Sequence, residues 1–156
     1  ASGKMAPIRR FVRFSLGDLD FALALADVER VVRAVAIAPL PGAPAPVLGM
    51  VTVHGEVLPV ADMRQRFGLA PRPVHPDDHL VIARAPRRRW ALTVNAACDV
   101  VECASEDLVE AQSVVPGLDH VHGIARTREG LLLVHDLDRF LAPSEEAALQ
   151  EALARG

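Results

Sequence analysis

VLGMVTVHGEVLPVADMRQRF (47–67) and VHGIARTREGLLLVHDLDRFL (121–141) carry one pattern twice. At a constant offset of 74, Val47 falls on Val121, Gly49 on Gly123, Leu58 on Leu132, Val60 on Val134 and Asp62 on Asp136. Met50 with Ile124, Val57 with Leu131 and Met63 with Leu137 keep apolar against apolar. Each copy reads as a glycine-started strand, a tight reversal, a second strand and a short aspartate-capped helix. The reversal is His54-Gly55 in the first copy and lies around Glu129-Gly130 in the second. This is an internal repeat, and it sets the frame for the rest of the chain.

Upstream, FALALADVERVVR (21–33) lies over WALTVNAACDVVE (90–102) at an offset of 69. Phe11 to Leu16 alternates into a turn at Gly17-Asp18, and Phe21, Leu23 and Leu25 alternate after it, so a hairpin is expected. VERVVR (28–33) fits a turn capped by Asp27 or a strand. HLVIA (79–83), the turn PRRR (86–89) and WALTV (90–94) supply the equivalent hairpin of the second half. Gly49, Gly55 and Gly123 stand alone within strand patterns, which suggests bulges or close backbone approach. About five short strands per half bury their apolar faces by curling into small barrels. The expected fold is therefore all-β with short helices, two barrel halves (about 14–78 and 79–141) sharing one core. A C-terminal helix over 144–155 follows, capped by Ser144, with Glu145 and Glu146 at its start, Arg155 at its end and a Leu149/Leu153 apolar edge. Residues 1–7 are expected to form a flexible tail before one domain spanning 8–156.

A chain of 156 residues with 51% hydrophobic and 24% charged residues can bury a core without disulfide or metal staples. Its five Phe, one Trp and no Tyr leave that core to aliphatic residues and offer poor stacking platforms for bases. A net charge of -3 provides no basic field for nucleic acid or anionic membrane. Residues 34–53 carry no formal charge, but Pro39, Pro41, Pro44 and Pro46 forbid a membrane helix and predict an extended loop feeding a strand. No signal peptide is read at the amino end, and Cys98 with Cys103 makes no disulfide framework, so a cytoplasmic protein is expected.

Catalytic chemistry finds little to stand on. His120/His122, His75/His79 and Cys98/Cys103 lack paired metal-ligand spacing, so no metal site is expected. Ser15, Ser105 and Ser113 have no nucleophile-elbow context, and either cysteine reads as a structural thiol rather than a nucleophile. The carboxylate pairs Asp18/Asp20, Asp77/Asp78 and Asp136/Asp138 fall where turns and caps belong. Arg87-Arg88-Arg89 reads as a solvated turn, or as a docking patch for an acidic partner. A metal- or thiol-dependent enzyme built on His120, His122 and Cys98 is the weaker alternative to a module that works through its surfaces.

The run VLGMVTVHGEVLPVADMRQRFGL (47–69) resembles the signature of the CheW-like domain, a bacterial chemotaxis coupling module. Gly49, Gly55, Pro59, Val60, Asp62 and Arg64 fit its Gly-Val-x-x-Leu-Arg-Gly-x-x-x-Pro-Val-x-Asp-Leu-Arg pattern, and Phe14 to Gly17, Phe21 with Val28, VNAACDVVE, Gly123 and LLLVHDLDRFL continue the match over about 8–155. The resemblance implies two SH3-like five-stranded barrels. It also implies a non-catalytic adaptor, without cofactor, between a chemoreceptor's cytoplasmic tip and the regulatory domain of the histidine kinase CheA. The implied partner-binding residues are Val28, Arg30, Gly49, Met50, His54 and Gly55. Two of these depart from the family pattern, which commonly has glutamate at the position of Arg30 and arginine at that of His54. A neutral histidine can accept a hydrogen bond from Arg30, whereas a protonated one repels it. The departure raises the alternative of a paralogue serving a divergent chemosensory system, such as twitching or gliding control, with a different partner.

Overall fold

Turn chemistry sets the strand pairing. The computed structural model describes residues 7–110, 121–128 and 130–155. Strands β1 (Ile8–Leu16) and β2 (Leu19–Ala24) pair antiparallel around Gly17-Asp18, with Leu16 opposite Leu19. One 3-10 turn at Leu25–Asp27 precedes β3 (Val28–Arg33), so the β-branched VERVVR run resolves as a strand. Strands β4 (Val47–Val53) and β5 (Glu56–Ala61) reverse at His54-Gly55. Both turn residues have positive φ, +50° and +81°, the signature of a two-residue turn whose twist matches its flanking strands. Gly55 is thus a turn residue rather than a bulge or a site of close approach.

The second half repeats these elements as β6 (His79–Arg84), β7 (Arg89–Val94) and β8 (Ala96–Ala104), then β9 (Leu108–Glu110), β10 (Val121–Thr127) and β11 (Gly130–His135). Asp62 caps the short helix α1 (Met63–Arg66), its carboxylate accepting from the Gln65 N–H at 3.1 Å. Asp136 does the same for a 3-10 turn at Leu137–Arg139, accepting from the Asp138 N–H at 3.0 Å.

The strands form two sheets, ordered β8-β1-β2-β11-β10-β9 and β3-β6-β7-β5-β4. Each sheet draws on both halves of the chain. The β1–β2 hairpin inserts between β8 and β11, and the β6–β7 hairpin between β3 and β5. Parallel pairings seal the exchange, with Phe21 opposite Leu133 and Val60 opposite Ala91. Neither half can leave without breaking both sheets. Both sheets also fold back on themselves. Beyond the end of β3, Ala38 pairs with Met50 on β4 through two backbone hydrogen bonds of 2.8 Å, and β9, which follows β8, pairs with β10. Terminal strands of each sheet are thereby joined, the curl a small barrel requires.

Side-chain alternation then divides the core into three. Phe11, Ala22, Ala125 and Val134 fill the first sheet's interior, and Val51, Leu58, Val60, Leu80, Ile82 and Ala91 fill the second's. Between them, Phe14, Phe21, Leu23, Met63, Trp90, Leu92 and Phe140 form a shared core. Phe21 and Leu23 face the shared core while Ala22 faces its own sheet, so this central hairpin is buried on both faces. Helix α2 (Pro143–Arg155) closes the shared core with Leu149 and Ala152. It begins at Pro143, so Ser144 is its second residue rather than its cap. Pro143 occupies the first helical position, where its missing N–H costs nothing, and the Glu145 carboxylate accepts from the Ala142 N–H at 2.8 Å.

Candidate functional site

In pairing order β3 and β4 stand at opposite ends of their sheet, and the curl brings them together at one rim. There the Arg30 guanidinium meets Nε2 of His54. A guanidinium can only donate, so in this contact Nε2 is the acceptor. The contact joins residues 24 apart in sequence, one from β3 and one from the β4–β5 turn.

The six expected contact residues divide by burial. Arg30, His54 and Gly55 are exposed, Val28 and Met50 are half-buried against the shared core, and Gly49 is buried. Gly49 serves the architecture, because a Cβ there would stand 2.2 Å from the Ala38 carbonyl oxygen and 2.9 Å from Ile37 Cγ2. Only glycine lets the backbone after β3 approach β4 closely enough to make the Ala38–Met50 bridge. Gly123 repeats the arrangement, with a Cβ placed 2.8 Å from the Val109 carbonyl oxygen. The β4–β5 register shifts between Val47 and Gly49, and Leu48, alternating with the buried Val47, Gly49 and Val51, faces outward with 41% of it exposed.

Beside the Arg30–His54 contact runs a charge network that the sequence gives no sign of. Glu29 Oε1 accepts from Arg84 Nε at 3.0 Å and Nη2 at 2.8 Å, and from Arg89 Nε at 3.0 Å. Arg89 Nη1 donates to Glu56 Oε2 at 2.5 Å. The Arg84 hydrogen bond leads in holding the Glu29 carboxyl below its ordinary range, against the opposing effect of burial and with help from the charge of Arg89. Arg87-Arg88-Arg89 is therefore neither a simply solvated turn nor a free basic patch. Arg88 lies over Trp90, 5.8 Å from the ring centroid, and donates to Glu146 of α2 at 2.5 Å; Arg87 reaches the same carboxylate at 3.8 Å. The acidic partners of this run lie within the chain.

A groove of about 470 Å³ opens beside the segment that follows β3. It is lined by Ala34, Val35, Ile37, Leu48, Val74 and Pro76, and Val35 is 48% exposed. The wall Val74–Pro76 is held by Asp78, which accepts from Arg72 Nη2 at 3.0 and 3.1 Å, from the His75 N–H at 2.8 Å and from Asn95 Nδ2 at 3.2 Å. Burial pushes the Asp78 carboxyl up, but these donors outweigh it and hold the group below its ordinary range.

The catalytic candidates do not assemble. Cys103 is buried, and burial with the Asp107 charge pushes its thiol up, the reverse of an activated nucleophile. His79 Nδ1 lies 3.1 Å from the Asn95 carbonyl, while His75 Nδ1 accepts from the Asp77 N–H at 3.0 Å. His135 is buried among Phe21, Phe67 and Phe140. His120, Ser113 and the side chains of Cys98 and His122 lie outside the described residues. Among the described residues no three His, Cys, Asp or Glu side chains are grouped to hold a metal ion, and no helix is long and apolar enough to cross a membrane.

Two curled sheets exchanging their central hairpins, with an exposed rim and an apolar groove, define a duplicated β-module. The CheW-like domain pattern matches residues 10–145, and the chain belongs to that family. It is 23% identical over 142 residues to the chemotaxis protein CheW of Treponema pallidum (strain Nichols), covering 87% of this chain and 84% of that protein. Against the chemotaxis protein CheW of Rhizobium meliloti (strain 1021) it is 25% identical over 140 residues, covering 88% and 90%. The crystal structure of the scaffolding protein TtCheW from Thermoanaerobacter tengcongensis superposes with a TM-score of 0.80 at 25% identity, covering 89% of this chain and 96% of the other.

Proposed function

We propose that this chain is a non-catalytic adaptor that couples a chemoreceptor's cytoplasmic tip to the regulatory domain of the histidine kinase CheA, working on the cytoplasmic side of the membrane without inserting into it and without a cofactor. The observation that carries the reading is the Arg30–His54 contact. It joins two ends of a curled sheet at an exposed rim, in a chain whose relatives are chemotaxis and scaffolding proteins. Val28 and Met50 support that rim from beneath, Gly49 permits its closure, and Gly55 shapes the turn that presents His54. No reacting groups are asked of it; its work is to hold two partners at a fixed spacing.

An Arg–His pair in place of the family's common Glu–Arg pair favours a second reading. In it the chain serves a divergent chemosensory output, with a partner whose charges are altered to match. Reconstitution separates the two. Receptor signalling domains, CheA and this chain are mixed, and kinase recruitment is followed by co-sedimentation. Recruitment that depends on this chain supports coupling to CheA. Recruitment only of a kinase from another chemosensory cluster supports the second reading, and recruitment of none removes both.

A further inference from the structure

The rim and the groove carry an imbalance of charge. Among the described residues, the carboxylates that approach them are already engaged. Glu29 is held by Arg84 and Arg89, Glu56 by Arg89 and Asp78 by Arg72, and Asp77 stands in solvent 3.6 Å from His75 Nδ1. The cations are not balanced in return. Arg30 donates to an imidazole nitrogen, which brings no negative charge to offset its own, and Arg33, immediately before the first groove residue, makes no ion pair with a described residue. Val31 between them on β3, and the groove residues Val35 and Leu48, face solvent at 37%, 48% and 41% exposure.

We propose that this face docks an acidic, aliphatic segment of a partner protein, its carboxylates meeting Arg30 and Arg33 and its apolar side chains entering the groove beside Leu48. Two features support a built surface. Leu48 alternates with the buried Val47, Gly49 and Val51, so β4 turns it outward into the groove. The opposite wall is fixed by the four hydrogen bonds to Asp78, so the groove is formed before a partner arrives and little ordering entropy is lost on binding. A basic segment would meet like charge, and an acidic one without apolar residues would leave the groove wet. The inference goes beyond the coupling reading, since it states the chemistry of what docks and holds whichever protein supplies it.

The test uses fluorescence anisotropy with the intact chain and a short labelled peptide alternating Leu and Glu, beside versions with Lys for Glu and Ser for Leu. The Leu–Glu peptide binds saturably and more tightly at low salt. Both altered peptides bind at least about tenfold more weakly. Arg33→Glu and Leu48→Asp each weaken the Leu–Glu peptide about tenfold while thermal unfolding stays unchanged, because both side chains face solvent. Absence of saturable binding, equal binding of the Lys peptide, or indifference to both substitutions overturns the proposal. Recruitment of CheA is read separately, so failure here leaves the coupling reading standing, and failure there leaves this one.

Discussion

Replacing Gly49 by alanine tests what closes the first barrel. The new Cβ would lie 2.2 Å from the Ala38 carbonyl oxygen, where ordinary contact begins near 3.4 Å, so backbone must move against backbone. That movement breaks the two 2.8 Å hydrogen bonds between Ala38 and Met50, worth about 1 kcal/mol each. Alanine at φ +158° adds about 1–3 kcal/mol of strain. The sum is about 3–5 kcal/mol, which at about 2–4 °C per kcal/mol for a chain of this size lowers Tm by roughly 6–20 °C. Gly123→Ala meets the Val109 carbonyl at 2.8 Å without a positive φ and costs about 1–3 kcal/mol. Gly55→Ala meets nothing within 4 Å and loses only the ease of its φ of +81°, about 1 kcal/mol. Urea and thermal unfolding followed by circular dichroism give the order Gly49, Gly123, Gly55 in decreasing cost. A Gly49→Ala protein as stable as wild type, yet impaired in partner binding, would refute this reasoning and make Gly49 a contact residue only.

Asp78→Ala removes the acceptor of Arg72, His75 N–H and Asn95 and costs about 2–4 kcal/mol, part of the loss being recovered because Arg72 reaches water. Since the folded-state carboxyl of Asp78 titrates below its unfolded value, its contribution is complete above about pH 4 and fades as pH falls through the folded value. The stability gap between wild type and Asp78→Asn therefore narrows on acidification in urea titrations. Arg88→Met and Glu146→Gln each destabilise by about 1–3 kcal/mol by loosening α2, and a double-mutant cycle gives a coupling of at least about 1 kcal/mol. Arg10→Ala, at a pair with side chains 62% and 55% exposed, changes stability by less than about 0.5 kcal/mol in the same assay.

Local chemistry is readable from the chain. The offset of 74 places Gly49 over Gly123 and Asp62 over Asp136, and in the structure the two glycines admit a close backbone approach and the two aspartates cap a helical turn. The turn at His54-Gly55 and the proline loop are legible for the same reason, since glycine and proline act on their own φ. The exchange of hairpins is not. A repeat states what each half contains, and an apolar β2 that is buried on both faces fits beside β5 of its own half or β11 of the other equally well. Glu29 shows the same limit, its partner Arg84 lying 55 residues away with no motif to connect them. At α2, Ser144 outweighs Pro143 as a helix start on cap propensity alone, and only the Glu145 bond to Ala142 reverses that order. At the rim, the resemblance supplies the residues and the fold supplies their contact. The exposed Leu48 is legible as well, since alternation with Val47, Gly49 and Val51 already turns it outward.

The most direct measurement is a calorimetric titration of this chain, and of its Arg30→Glu/His54→Arg variant, with the regulatory domain of a CheA encoded in the same genome. Coupling through the Arg30–His54 rim predicts saturable one-to-one binding of the wild type, of about micromolar affinity, and weaker binding of the double variant at unchanged stability. No binding of the wild type to any such domain would contradict it.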